Sequence, residues 1–375
     1  MCKAKRLLVF NCSHEMALAA NVKQYFPPKN IQQMEGDLCL LPLWWAEEGD
    51  AVIVNEVEEA ADFARKWRGV CPDVEFTTWD EGYDSLCERT GRDYVPSPWG
   101  WNRAMAERFR RYGVPSEWLP TEAQLDDIRS FASREFVCGD AFVPLFGSGP
   151  RVVYRVPQFV RSLDFVVPEG TSRLIFKSPW SSSGRGVFVA DVPLADSALA
   201  RLSGFLKTQG GFLVDRFYDK VLDFALEYEL AADGQARFLG FSVFEAADGG
   251  RYGGNVLASQ SELRGMVEAS AELSVEELTE GVGKCLEHAL GGRYAGIVGV
   301  DMLVVDDGGK KMVHPCIEAN LRMNMGVLAM NVFERLSLLE GKGGLDGKTT
   351  LTPERKCGFV AECVDGRLCL VFRKS

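Results

Sequence analysis

Gly296-Ile297-Val298-Gly299-Val300-Asp301-Met302-Leu303-Val304 is an apolar strand with one carboxylate in its middle, and after a turn the chain continues to Glu318-Ala319-Asn320-Leu321-Arg322. A carboxylate in so apolar a strand wants a partner. Asp301, Glu318 and the amide of Asn320 are hard oxygen donors, the set magnesium takes when it also holds phosphate oxygens. A hairpin centred between Gly309 and Lys310 sets Asp301 opposite Glu318 on one face. Centring it two residues earlier keeps the face but slides the two about 13 Å apart, too far for a shared ion. The competing reading is a solvated hairpin with acidic ends, which the apolar flanks of Asp301 disfavour.

Upstream lies Phe176-Lys177-Ser178-Pro179-Trp180-Ser181-Ser182-Ser183-Gly184-Arg185-Gly186-Val187. A strand delivers a lysine, a loop of small residues lets backbone N–H groups crowd an anion, and Lys177 and Arg185 add charge. It is not a Walker loop, because no G-K-[ST] occurs and a strand follows instead of a helix. A flexible hairpin with two exposed cations is the alternative. Between the two motifs, Phe212-Leu213-Val214-Asp215-Arg216-Phe217-Tyr218 runs from an apolar strand into a polar hinge, with Asp223 beyond. Such a hinge can offer main-chain groups to a purine and a carboxylate to a ribose.

The remaining sequence sets bounds. A chain of 375 residues, 46% hydrophobic and 25% charged, suits two or three packed lobes. Its formal charge of −11 lacks the basic footprint of a nucleic-acid partner. The basic start, residues 1–6, precedes too short an apolar stretch for a signal peptide, and nothing approaches a membrane span. Eleven cysteines with no C-x-x-C pair fit reduced thiols in a cytosolic protein. Strands at 7–10, 51–54 and 74–78 alternate with helices at 14–21 and 57–67, giving a small α/β lobe. Ser13 is the expected cap of its first helix. Helices follow at 101–112 and 122–134; from 151 onward strands dominate. Ser274 and Glu277 form an expected capping box for a helix to 290. Residues 341–347 read as loose, and strands at 358–363 and 368–372 close the chain. His288 and His314 read as structural. His14 and Glu15 either begin a helix or face a cleft and touch an acceptor substrate.

In this order the three motifs resemble the ATP-grasp superfamily over residues 100–335. The resemblance implies a mixed α/β and α+β architecture: an N-terminal α/β lobe (1–98), a first ATP-grasp lobe (99–220), a second (221–340) that clamps ATP against it, and a C-terminal strand pair (341–375). Lys177 resembles the phosphate-binding lysine, and Ser181, Ser182, Ser183, Gly184, Arg185 and Gly186 the loop over the phosphates. Asp215, Phe217 and Tyr218 match the adenine hinge, Asp223 the ribose acceptor, and Arg103 a second phosphate-binding cation. Asp301, Glu318 and Asn320 match ligands of Mg2+ (or Mn2+), and Arg322 an arginine that steadies transferred phosphate or substrate carboxylate. The implied reaction is ATP-dependent activation of a small-molecule or peptide carboxylate as an acyl phosphate for attack by an amine or other nucleophile. A kinase of the same fold and a nucleotide-binding regulator without turnover are the alternatives. The sequence departs from the D-alanine–D-alanine ligase type, which has an arginine where this chain has Gly299.

Overall fold

The computed structural model describes residues 5–374 apart from 168, 182–183, 185, 248–250, 340–348 and 354. In chain order its first elements are β1 (Lys5–Val9), α1 (His14–Ala20), α2 (Lys29–Asp37), β2 (Ala51–Ile53), α3 (Val57–Lys66), β3 (Glu75–Thr77), α4 (Tyr83–Thr90), β4 (Tyr94–Pro98), α5 (Arg103–Tyr112) and α6 (Glu122–Phe131). Next come β5 (Gln158–Val160), β6 (Arg173–Lys177), β7 (Val187–Asp191), α7 (Asp196–Gln209), β8 (Phe212–Arg216), β9 (Asp219–Leu230), β10 (Ala236–Ala247) and β11 (Arg251–Val256). The chain ends with α8 (Gln260–Ala271), α9 (Glu276–Leu290), β12 (Gly296–Asp307), β13 (Lys310–Asn320), α10 (Met325–Ser337), β14 (Thr349–Thr350), β15 (Cys357–Val364) and β16 (Arg367–Lys374). No helix among the described residues is long and apolar enough to cross a membrane.

These elements form two compact units. The first joins Met1–Leu125, Gly254–Ala258 and Met323–Ser375; the second joins Asp126–Gly253 and Ser259–Arg322. The expected cut at 98/99 is therefore no boundary, because α5 stays with the first unit: its Met105 and Phe109 share one core with Leu7, Val9, Ile53 and Tyr94. The C-terminal segment, expected as a separate piece, also belongs to this unit.

In the first unit a parallel sheet runs in the order β3-β2-β1-β4. Leu7, Leu8 and Val9 are all buried, as a parallel strand covered on both faces requires. Pro96 and Pro98 lie in β4, an edge strand where a missing N–H is tolerated. The expected terminal strand pair is present as β15 against β16, from Cys357↔Lys374 to Val364↔Arg367. Ser13 makes no side-chain cap to α1; instead its backbone N–H donates to Glu35 Oε1 at 2.9 Å.

The second unit holds a small sheet, β5-β8-β6-β7, and the strands β13-β12-β9-β10. Leu174, Phe176, Phe212 and Val214 fill one side of the small sheet together with Leu202 of α7. Alternation then puts Lys177 and Asp215 on its other side. Strands dominate after 151 as expected, with α7 and α8 as additional helices between them. The capping box also moved: Ser259 and Glu262 form one on α8, whereas α9 begins after Val275 with no side-chain cap.

The β12–β13 turn decides how Asp301 and Glu318 pair. Its pairing is Asp307↔Lys310, so Gly308 and Gly309 are the two turn residues, with φ of 67° and 86°. Positive φ at both positions is the type I′ hairpin turn that Gly-Gly favours. The turn is thus centred one residue earlier than the sequence reading set it, which alone would place Asp301 opposite Cys316. A bulge corrects this: Met302 faces three residues of β13, Pro315 to Ile317, between Leu303↔His314 and Asp301↔Glu318. Pro315 has no N–H to give the ladder, and a bulge is where a strand accommodates that loss.

Candidate active site

Register gathers the acidic residues. Asp301 faces Glu318 on β13 and Ala225 on β9, and Gly299 faces Asn320 and Glu227. Counting by twos along each strand puts Asp223, Glu227, Asp301, Glu318 and Asn320 on one sheet face. Burial, reinforced by the like charge of Glu318, raises the Asp301 carboxyl to about 7, although Arg322 and Asn320 oppose the shift. Asn320 Nδ2 donates to Asp301 Oδ2 at 3.1 Å, and Arg322 donates to Asn320 Oδ1 at 2.9 Å. Among the described residues no three His, Cys, Asp or Glu side chains form a metal cage. Two carboxylates and an amide make an open set, which suits magnesium because it keeps waters and phosphate oxygens in its shell. The residues therefore fit a divalent cation.

Proton and metal compete for Asp301, which gives a sign. Raised above its unfolded value, this carboxyl contributes stability at low pH that is lost as pH rises through about 7. A divalent ion would have to displace the proton, so its affinity should rise about fivefold from pH 6 to pH 7, about twofold more to pH 8, and level off beyond. Mg2+ titrations monitored by thermal melting at pH 6, 7 and 8 check this. A pH-independent midpoint would remove Asp301 from the ligand set, and Asp301→Asn should flatten the profile.

The phosphate loop is a hairpin, with Lys177 facing Val187. A side chain at Gly186 would collide with the hydroxyls of Ser178 and Ser181, so the loop closes only on glycine. Ser182, Ser183 and Arg185 lie outside the described residues. Trp180 anchors the loop base, its indole donating to Arg129 O at 2.9 Å under the Arg129 guanidinium. Lys177 is buried, and its amine is held below the usual lysine range by that burial and by the Arg134 cation; Asp215 and Glu318 oppose this.

Arg134 escaped the sequence reading. Only 4% exposed, it donates to Ser178 O and Ser181 Oγ, both at 2.8 Å, and to Glu318 Oε2 at 2.7 Å. One guanidinium thus joins the loop to the carboxylate opposite Asp301. The sequence reading placed it in a helix, but α6 ends at Phe131 and Arg134 stands in the turn beyond. Arg103, expected at the phosphates, belongs to the first unit, where it holds Asn21 Oδ1 at 2.9 Å and Glu122. Arg134→Lys keeps the charge but loses the fork, whereas Arg134→Met leaves Glu318 and three loop oxygens, Ser178 O, Ser181 O and Ser181 Oγ, without it. Mg-ATP binding should weaken about 10²-fold in the methionine variant and less in the lysine variant. Equal Kd values for both variants and the parent protein, by calorimetry, would refute the assignment.

The hinge departs from expectation in detail. The Asp215 carboxylate bonds His314 Nε2 at 2.8 Å and accepts from the Arg216 N–H at 2.7 Å. Both side chains are buried, so this pair ties the small sheet to β13. Tyr218 sits edge-on to His314 at 5.9 Å, its hydroxyl pushed up to about 12 by burial and by Asp215. Phe217 lies under the Arg173 guanidinium at 4.3 Å. Asp223 takes a 2.6 Å bond from Lys220. Glu227, 1% exposed, was not anticipated; it follows Asp223 by four residues, so strand alternation was the available signal.

His14 and Glu15, one reading of which faced a cleft, are 1% and 7% exposed. Asn102 Nδ2 lies 3.3 Å from His14 Nδ1, and any side chain at Gly100 would overlap the His14 ring. Asn11 clamps Gly100 through both its amide atoms.

No family pattern and no curated protein matches the sequence. Among solved structures, the chain is similar to a putative ATP-grasp superfamily protein from Archaeoglobus fulgidus, with 13% identity and a TM-score of 0.45, over 99% of this chain and 100% of that one. The chain resembles ATP-grasp proteins. A second similar structure is the biotin carboxylase domain of Hydrogenobacter thermophilus 2-oxoglutarate carboxylase, at 11% identity and TM-score 0.48, over 100% of this chain and 87% of that one. A third is the D-cycloserine synthetase DcsG, at 14% identity and TM-score 0.42, over 75% and 94% of the two chains. All three similarities have a TM-score below 0.5, so the chemistry of this chain is read from its own side chains.

Proposed function

We propose that this protein is an ATP- and magnesium-dependent ligase that activates a substrate carboxylate for attack by an amine or other nucleophile. The observation that carries this reading is Arg134, which joins the Ser178–Ser181 loop to Glu318 directly opposite Asp301. Lys177, Arg134 and the loop N–H groups orient and neutralise a triphosphate chain. Asp301, Glu318 and Asn320 would hold the divalent ion, the Asn320 amide exchanging its present bond to Asp301 for a bond from its oxygen to the ion. Bound there, a divalent ion would supply positive charge against the charge that develops on the phosphate oxygens. Arg322 steadies the transferred phosphate or the substrate carboxylate, and the main chain of residues 216–218 with Asp223 receives base and ribose.

In the reaction a carboxylate oxygen attacks the γ-phosphorus and ADP leaves with the electron pair of the broken P–O bond. The nucleophile then adds to the acyl carbon, phosphate departs, and the amine proton passes to solvent. The test is ADP release with Mg-ATP across pairs of carboxylates and amines. Turnover that needs both partners and yields phosphate supports a ligase. A stable phosphorylated product with no amine requirement would select a kinase, and Mg-ATP binding without ADP formation a regulator.

A further inference from the structure

Residues 140–152 and helix α9 line a half-open cavity of about 520 Å³. That volume lies in the range of small-molecule sites. Its inner wall is apolar, formed by the buried side chains of Leu145, Val152, Leu278 and Cys285. Gly281 keeps the wall open: a Cβ there would meet Leu145 Cδ2 at 3.2 Å. A mid-helix glycine weakens α9, so the close approach has a cost in helix stability that packing of an alanine would not carry. At the mouth both signs of charge meet, Arg151, Lys284 and His288 with Asp140 and Glu277. The Arg151–Glu272 and Lys284–Glu280 pairs are partly or wholly exposed, and such pairs exchange partners at little cost.

We propose that this cavity binds a free α-amino acid with an apolar side chain, and that its occupation weakens Mg-ATP binding. The apolar wall takes the side chain, while the mixed charges at the mouth match the ammonium and carboxylate of a zwitterion. A fully charged or purely apolar ligand would leave one of these two features unmatched.

The coupling has a physical route. Phe146, next to Leu145, meets the His314 ring edge-on at 5.5 Å, and His314 holds Asp215 of the hinge. The same segment is bonded to β13, with Val153 N–H donating to Val313 O at 2.9 Å and Val313 N–H to Arg151 O at 2.7 Å. At its start stands Arg134 on Glu318. A ligand wedged between α9 and this segment presses Phe146 on His314 and so biases the Asp215 hinge away from the arrangement that receives nucleotide. This coupling rests on the Mg-ATP reading above; the amino-acid site itself does not.

The test titrates L-leucine and L-phenylalanine into the full-length protein, with L-serine and L-aspartate as controls. Melting is followed without nucleotide, and the Kd of Mg-ATP is measured with and without amino acid. Leucine or phenylalanine should raise Tm where the controls do not, and should raise the Mg-ATP Kd about fivefold. Ser148→Trp, an exposed position at the mouth, should abolish both responses and leave the Mg-ATP Kd without amino acid within about twofold. Lys284→Glu, exposed on α9, should weaken leucine binding about tenfold, without relying on the first variant to fold. No melting response to either apolar amino acid, or a response that survives both variants, overturns the site. A melting response with unchanged Mg-ATP affinity overturns the coupling. A melting response in a protein that binds no Mg-ATP supports the site and overturns the proposed function instead.

Discussion

Glu318→Gln should reduce ATP turnover by about 10³-fold, the order seen when a site loses a group aimed at developing charge. Glu318 stands opposite Asp301 and accepts from Arg134 at 2.7 Å, so it meets both the metal pair and the loop clamp. Glutamine keeps an acceptor for the buried guanidinium while removing the charge that a divalent ion needs. Alanine is expected to stop turnover as well, but it also strands Arg134, which is 4% exposed. Losing one partner of a buried ion pair costs about 3–5 kcal/mol, so Glu318→Ala should melt earlier than Glu318→Gln. Steady-state ADP release, read beside the melting curves of both variants, separates the two effects. Undiminished ADP release by the glutamine variant would sink the metal assignment.

The second large effect is at Lys177, where activity and stability should move in opposite directions. Its amine is buried, and both its burial and the neighbouring Arg134 cation work against its charge. A buried charge kept under such conditions stabilises the fold poorly, and an apolar replacement of similar length is often neutral or stabilising. Lys177→Met should therefore melt at the same temperature or higher while turnover falls about 10²-fold or more. If turnover stayed within about threefold of the parent protein and the melting temperature dropped, Lys177 would be a core residue and not a phosphate ligand.

Particular elements show where sequence reasoning reached the structure and where it stopped. The buried run at Leu7–Val9 and the alternation that follows it announced the parallel sheet, because such a strand must be apolar on both faces. The hinge strand and the lysine strand were legible for the same reason: their apolar residues face α7 and leave Lys177 and Asp215 on the opposite side. Arg134 was not legible. Nothing in Ala132-Ser133-Arg134-Glu135 distinguishes a solvent-facing arginine from one bonded to a carboxylate 184 residues away. Arg103 drew the phosphate role from the ATP-grasp resemblance, yet its partners are Asn21 and Glu122. His314 looked structural and is one half of a buried pair with Asp215, a contact between two sheets that no local pattern encodes.

The feature that decided the fold shows the division most clearly. The sequence by itself determined that Asp301 and Glu318 lie on adjacent strands of one hairpin, since an apolar strand, a glycine turn and a second strand admit little else. Their pairing was a matter for the tertiary structure. The Gly308-Gly309 turn sets a register that would offset the two carboxylates, and the bulge at Pro315–Ile317 brings them back into opposition. A bulge forms where the surrounding packing holds a strand against its neighbours, here the edge pairing of Val313 with Arg151 and Val153 and the bond from His314 to Asp215. Those partners come from distant parts of the chain, so the register of the metal pair is settled only when they meet.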